Sequence, residues 1–243
     1  MNRFRVTRSV IPNLFTAMNM FSGFLSIINA DRGKYDYAAI LIIIAAVFDA
    51  LDGIMARLTK SSSELGVELD SLSDVVSFGA APAFLVYSTY LHNFNAAGIV
   101  ISSLLLIAGG FRLARFNVQL VGFDKEHFTG LPIPTSGITI AAFVLAYYDN
   151  GFIEPYADFI IPIVIVLSFL MVSKVRYDTI PKPSISEIKK KPFHFIFIAA
   201  SIILLIITSG KALFYVFVFI ILFGIFKYIF NKFSRKSSIN KSN

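Results

Sequence analysis

Asp49-Ala50-Leu51-Asp52-Gly53-Ile54-Met55-Ala56-Arg57, followed after eight residues by Gly66-Val67-Glu68-Leu69-Asp70-Ser71-Leu72-Ser73-Asp74, sets four aspartates, two glycines, an alanine and an arginine at fixed offsets between apolar runs. Residues three and four apart on a helix share a face. Asp49 and Asp52 therefore project together from the end of one apolar helix, and Asp70 and Asp74 from the start of the next. The turn between them, with Ser61-Ser62-Ser63 and Gly66, lets the second helix fold back against the first. All four carboxylates then converge, and the chain is read as helices running to and from that point.

Unpaired carboxylates at one point repel, and an ionisable side chain at membrane depth costs about 2.5–3.5 kcal/mol even on the lenient scale. Cations must stand among them. Arg57 supplies one charge, and hard divalent cations with oxygen ligands supply the rest most naturally, because the chain has no cysteine and its histidines (His92, His127, His194) lie outside the stretch. Gly53 and Ala56 share helix turns with the first aspartate pair and leave room for a flat ligand against the backbone. Each piece has a bland reading: a lone aspartate pair is an interfacial cap, and Gly and Ala on a membrane helix are packing residues. The combination is different, since eight fixed positions, each at about 5–8 per cent of average usage, recur by chance with odds below about one in ten million.

Composition agrees with a membrane setting. Hydrophobic residues make up 56 per cent of the 243 and charged ones 15 per cent, the balance of a polytopic membrane protein. Without cysteine there is no disulfide framework and no thiolate chemistry. The formal charge of +7 does not point to nucleic acid, because the basic residues fall at helix ends, where the positive-inside rule explains them. Arg3, Arg5 and Arg8 precede the first apolar segment, 11–30, which has spanning length and no clear small-residue cleavage site; it is expected as a retained helix rather than a signal peptide, with Asn13 as a cap. Seven further spans are expected near 35–55, 72–91, 96–113, 136–148 (short unless it starts near Ile133), 155–172, 193–208 and 212–230. The expected fold is thus an all-α polytopic membrane protein of about eight transmembrane helices. A cytoplasmic N-terminus leaves only Arg32, Lys34 and Lys211 of 22 basic residues outside, so both termini are expected in the cytoplasm. Residues 1–180 are read as a six-helix catalytic membrane core, 181–192 as a cytoplasmic linker, 193–230 as two additional helices and 231–243 as a disordered basic tail near anionic headgroups.

The pattern D-x-x-D-G-x-x-A-R-x8-G-x-x-x-D-x-x-x-D resembles the signature of the CDP-alcohol phosphatidyltransferases, integral membrane enzymes that move a phosphatidyl group from a CDP-linked lipid to an alcohol and release CMP. Every signature position is filled here. The resemblance implies two divalent cations, Mg2+ or Mn2+, held by Asp49, Asp52, Asp70 and Asp74, with Asp74 also the general base. It implies a pocket for the CDP moiety using Gly53, Ala56, Arg57 and Gly66, a homodimer, and a place in a prokaryotic cytoplasmic membrane. In the expected orientation this site faces the cytoplasm.

Phe111-Arg112-Leu113-Ala114-Arg115-Phe116-Asn117, Phe128-Thr129-Gly130-Leu131-Pro132-Ile133-Pro134 and Ile11-Pro12-Asn13-Leu14-Phe15-Thr16 further resemble the members of the family that use L-serine. CDP-diacylglycerol and L-serine are then the implied substrates, with Arg112, Arg115, Asn117 and Asn13 as candidate serine contacts. An arginine pair suits the serine carboxylate, which guanidinium binds bidentately. Read alone, the two arginines are snorkelling anchors and the proline stretch is a helix-breaking loop. Glycerol 3-phosphate or inositol phosphate as acceptor, and an archaeal-type ether lipid as donor, stay open. A cation transporter with the aspartates along its path is the alternative from another class, though 38–47 is uniformly apolar. The unrelated phospholipase D-like enzymes need paired His-x-Lys motifs, which the histidines here do not form.

Overall fold

The computed structural model of the chain describes residues 10–59, 63–121, 130–175, 177 and 212–239. Its elements are α1 (Val10–Asp31), α2 (Tyr35–Thr59), α3 (Glu64–Asp74), a widened π turn (Val75–Ala80), α4 (Ala81–Thr89), a 3-10 turn (Leu91–Phe94), α5 (Asn95–Val121), α6 (Ile133–Tyr147), a second 3-10 turn (Tyr156–Phe159), α7 (Ile160–Val172) and α8 (Leu213–Ile239). α1 is apolar except for one stripe. Its buried positions are Pro12, Thr16, Asn19, Ser22, Gly23, Ser26 and Ala30, three and four apart and small or polar. Such a face lets backbones approach closely and bond across helices. It packs along α2, whose Ala38, Ala39, Ile42 and Ala45 are buried, and Ser26 Oγ donates to Ala38 O at 2.8 Å.

The chain returns through one helical run, Glu64–Thr89. Ser63 starts it: with extended backbone (φ −127°, ψ 151°) its hydroxyl accepts from Gly66 N at 3.0 Å, supplying a partner for one N–H of the first turn. The run widens over Val75–Ala80, where the Ala81 N–H reaches back five residues to Val76 O. Pro82 follows directly; it has no N–H to offer the Phe78 carbonyl, and a π turn is one way for a helix to absorb that loss. α1 packs on α3, on the widened turn and on α4 as well as on α2.

α5 runs back along α7, and α6 packs against α2 and α8. Phe78, Ile42, Leu85, Leu105, Ile133, Ile140, Val144 and Ile160 are essentially inaccessible and form the centre of one apolar cluster. The tip where α6 turns toward α7 is aromatic. Tyr147 stacks on Tyr156 at 4.0 Å, Phe143 on Phe152 at 5.7 Å, and Phe143 meets Phe214 of α8 edge-on at 5.2 Å.

Among the described residues the chain is helical, and five helical runs are long and apolar enough to cross a membrane; Ile133–Tyr147 and Tyr156–Val172 are shorter apolar helices. Seven of the eight expected segments fall on these elements, and the one expected at 193–208 lies outside the described residues, as does the linker at 181–192. Two boundaries bear on the site and the tail. The third helix starts at Glu64, not Leu72, and Gly66 lies inside its first turn, because Ser63 provides a cap that the apolar pattern does not register. Gly66 is therefore not part of the turn. α8 continues to Ile239, so 231–239 is helical where a disordered tail was expected; Lys and Arg are good helix formers, and propagation adds a backbone bond per residue.

Candidate active site

α2 ends and α3 begins at the same level of the bundle, and α1 lies against both. Carboxylate oxygens of Asp49, Asp70 and Asp74 lie within 4.8 Å of one another. Asp52 joins from one turn further along α2: it is at hydrogen-bonding range of Asp70, as Asp49 is of Asp74. Asp74 and Asp52 are buried, each 7 per cent exposed. Two carboxylates at such range need a proton or a cation between them. Asp70 Oδ1 is buried and has no hydrogen-bond partner among the described residues. An all-oxygen donor set with an unsatisfied buried oxygen fits a hard divalent cation, and Asp49, Asp70 and Asp74 could hold one.

The residues flanking the aspartates take different positions. Arg57 is exposed, and its Nη1 lies 3.6 Å from where a Cβ on Gly53 would stand, so the side chain folds back over the small residue. Ala56 is half-buried beside them. A Cβ on Gly66 would stand 3.1 Å from Ser63 Oγ and 3.4 Å from Asn13 Oδ1, which brings Asn13 of α1 to the start of α3. Asn117, from the end of α5, donates through Nδ2 to Ser71 Oγ at 3.0 Å and ties that helix to the face of α3 next to Asp70.

The arginine pair divides. Arg112 stands near enough to Asp74 for the two charges to act on each other, lies over the Phe116 ring at 5.8 Å, and keeps Nε buried with no hydrogen-bond partner among the described residues. Arg115 is engaged elsewhere: Nη1 donates to Val172 O at 3.1 Å, and Nη2 reaches Met171 O and Ser173 O at 3.4 Å. The last carbonyls of a helix have no partner within it, and Arg115 caps those of α7. The proline stretch shares this work, with Gly130 N donating to Val175 O at 2.8 Å and Leu131 N to Leu170 O at 3.0 Å. Gly130 sits at φ +90°, and a Cβ there would meet Met171 O at 2.1 Å, so only glycine fits. Phe128 and Thr129 lie outside the described residues.

Two residues at the centre escaped the sequence reading. Thr16 Oγ1 donates to Asp52 Oδ2 at 3.0 Å, and Asn19 Nδ2 to Asp74 Oδ1 at 3.4 Å. Their signal is the i, i+3 spacing of polar residues, Asn13, Thr16 and Asn19, within an apolar helix.

Fold and site together define a polytopic helical membrane protein with a carboxylate centre where two of its helices meet. Residues 9–171 match the family model described as CDP-alcohol phosphatidyltransferase, and the chain belongs to that family. It is 34 per cent identical over 222 residues to a CDP-diacylglycerol–serine O-phosphatidyltransferase of Helicobacter pylori, covering 91 per cent of this chain and 92 per cent of that protein. To the protein of the same name from Methanocaldococcus jannaschii it is 32 per cent identical over 223 residues, 90 and 94 per cent of the two. An archaetidylserine synthase of Methanothermobacter thermautotrophicus is 40 per cent identical over 183 residues, 74 and 75 per cent.

Proposed function

We propose that the chain transfers the phosphatidyl group of CDP-diacylglycerol to L-serine and releases CMP, at the site where Asp49, Asp52, Asp70 and Asp74 meet. The observation that carries this is the convergence of Asp49, Asp70 and Asp74, with Asp70 Oδ1 lacking a hydrogen-bond partner among the described residues, in a chain whose relatives over nine-tenths of its length bear a serine-transferase name. The four aspartates would hold two divalent cations, Mg2+ or Mn2+. When bound, these neutralise charge on the diphosphate and on the departing CMP. Arg57 binds a diphosphate oxygen, and the small residues Gly53, Ala56 and Gly66 admit the CDP moiety against the helix backbones.

Serine's hydroxyl is a weak nucleophile, so a carboxylate must take its proton as it attacks the phosphorus that carries the diacylglycerol. Asp74 does this, held by Asn19. Arg112 binds the serine carboxylate: its buried Nε supports this role, while the bonds of Arg115 to α7 support a structural one for that residue. Asn13 and Asn117 stand beside the same helix, at Gly66 and Ser71 of α3. The distribution of basic residues supports a site open to the cytoplasm, and the family resemblance supports a homodimer in a prokaryotic cytoplasmic membrane.

CMP release by the purified protein with CDP-diacylglycerol and Mn2+ tests the proposal, comparing L-serine, glycerol 3-phosphate and inositol phosphate. Release that needs serine and vanishes in Asp74→Asn is the expected result. Release with another acceptor overturns the serine assignment and keeps the family chemistry. CDP-archaeol in place of CDP-diacylglycerol tests a second reading of the donor, which the relative named archaetidylserine synthase favours.

A further inference from the structure

α1 contributes no carboxylate to the centre, yet it touches both halves of it. Thr16 shares its hydroxyl proton between Pro12 O at 3.2 Å and Asp52 on α2 at 3.0 Å. Asn19 donates to Asp74 on α3. The same two residues are gripped through their backbones, because Ser73 Oγ donates to Thr16 O at 3.0 Å and Ser77 Oγ to Asn19 O at 2.9 Å. Ser73 and Ser77 are four apart and flank Asp74, so one face of the return helix is bonded to α1 on either side of the carboxylate. Asn19, Ser73 and Ser77 are fully buried and Thr16 is 3 per cent exposed. One turn on, a Cβ at Gly23 would stand 2.6 Å from Ser77 Cα, so α1 rests directly on the widened turn.

Buried, and hydrogen-bonded through both side chain and backbone, Thr16 and Asn19 have little freedom to shift, although Asn19 Oδ1 has no partner among the described residues. We infer that Thr16 and Asn19 are positioning residues, which hold the Asp52 and Asp74 carboxylates at the orientation that the cation and the acceptor hydroxyl require. Thr16 serves the aspartate of α2 and Asn19 that of α3, so α1 sets the separation of the two halves of the motif. The inference rests on the phosphatidyl-transfer reading of the site. Partners that orient metal ligands in this way cost about 10- to 100-fold in metal affinity or activity when removed.

The test uses the full chain in detergent micelles. Mn2+ binding is titrated through the electron-paramagnetic signal of free Mn2+, alongside kcat and KM for CDP-diacylglycerol and L-serine, and Tm without metal. Thr16→Val should weaken Mn2+ binding by about tenfold or more, and Thr16→Ser should restore it. Asn19→Leu should lower kcat by about tenfold or more with both KM values within about twofold, since a misaimed base slows the chemical step without loosening the ground state. Ser26→Ala is the control: it removes a buried bond of α1 to α2 remote from the aspartates and should lower Tm alone. If Thr16→Val and Asn19→Leu behave like Ser26→Ala, with Mn2+ affinity and kcat kept, the inference is overturned. Should Asn19→Leu not fold, the Thr16→Val and Thr16→Ser pair decides alone. A wild-type protein that binds no Mn2+ and releases no CMP sinks the transfer reading and this inference together, whereas active wild type with insensitive variants sinks only the inference.

Discussion

Where α2 ends and α3 begins, three carboxylates stand within 4.8 Å of one another, and Asp70, Asn19 and Arg112 each keep a buried polar atom without a hydrogen-bond partner among the described residues. At the opposite tip, where α6 turns toward α7, ring packs on ring: Tyr35 meets Tyr148 edge-on at 5.0 Å, Tyr90 meets Phe152 at 6.0 Å, and Tyr147 stacks on Tyr156. The first region is assembled from groups that repel or lack partners, at a cost in stability. The second gains from area burial and ring geometry. One bundle thus separates the groups that do chemistry from those that hold it together, and substitutions at the two ends should have opposite signatures.

The largest effect is expected at Asp74. Asp74→Asn removes the proposed base and a cation ligand, and CMP release should fall by at least the roughly 10²- to 10⁴-fold that general-base catalysis contributes. Its metal-free Tm should hold or rise, because one of several crowded carboxylates is gone. A Tm that collapses together with activity would break the division of roles. Next comes Arg112→Leu, which should raise the KM for serine by about 10- to 100-fold, matching the loss of a charge-assisted bond of about 1.5–3 kcal/mol. Arg115→Leu should instead lower Tm and leave that KM near the wild-type value. An equal rise in KM for both variants would restore the two arginines as a pair.

How far the sequence could lead follows from which interactions are local. The aspartate motif was legible because its offsets are those of a helix face, and any chain with these offsets on two adjoining helices presents two pairs. The convergence of Asp49 with Asp70 and Asp74 rested instead on the fold-back of the second helix, expected from the turn between the two pairs rather than from their spacing. The start of α3 was missed because a Ser63 cap acts through one hydrogen bond and leaves the apolar pattern unchanged. The division of Arg112 from Arg115 was not legible at all. It depends on where α7 ends, 57 residues further on, and no spacing within Phe111–Asn117 encodes that. Thr16 and Asn19 lie between these cases: their spacing was visible, but their partners belong to two other helices.

At the aromatic tip the effects should be confined to stability. Phe143 is 2 per cent exposed and touches Phe152 and Phe214, so Phe143→Ala should lower stability by about 3–5 kcal/mol while kcat/KM at a permissive temperature stays unchanged. Serine-dependent activity lost in proportion to that destabilisation would mean that the two ends are coupled through α6.

The smallest change is the most exacting test of the separation. Tyr35 begins α2, the helix that ends in Asp49 and Asp52, and its hydroxyl donates to Ser88 O near the end of α4 at 3.0 Å. Tyr35→Phe keeps the ring against Tyr148 and deletes that bond alone, for about 1 kcal/mol or less. If α2 transmits small shifts along its length, even this loss should alter Mn2+ affinity at the other end. If the bonds from α1 fix the aspartates locally, Tm should fall slightly, and Mn2+ affinity and kcat should match wild type. The buried Thr16 and Asn19 bonds favour the second outcome, and a Tyr35→Phe protein with weakened Mn2+ binding would show that the centre is positioned by the whole bundle rather than by its own neighbours.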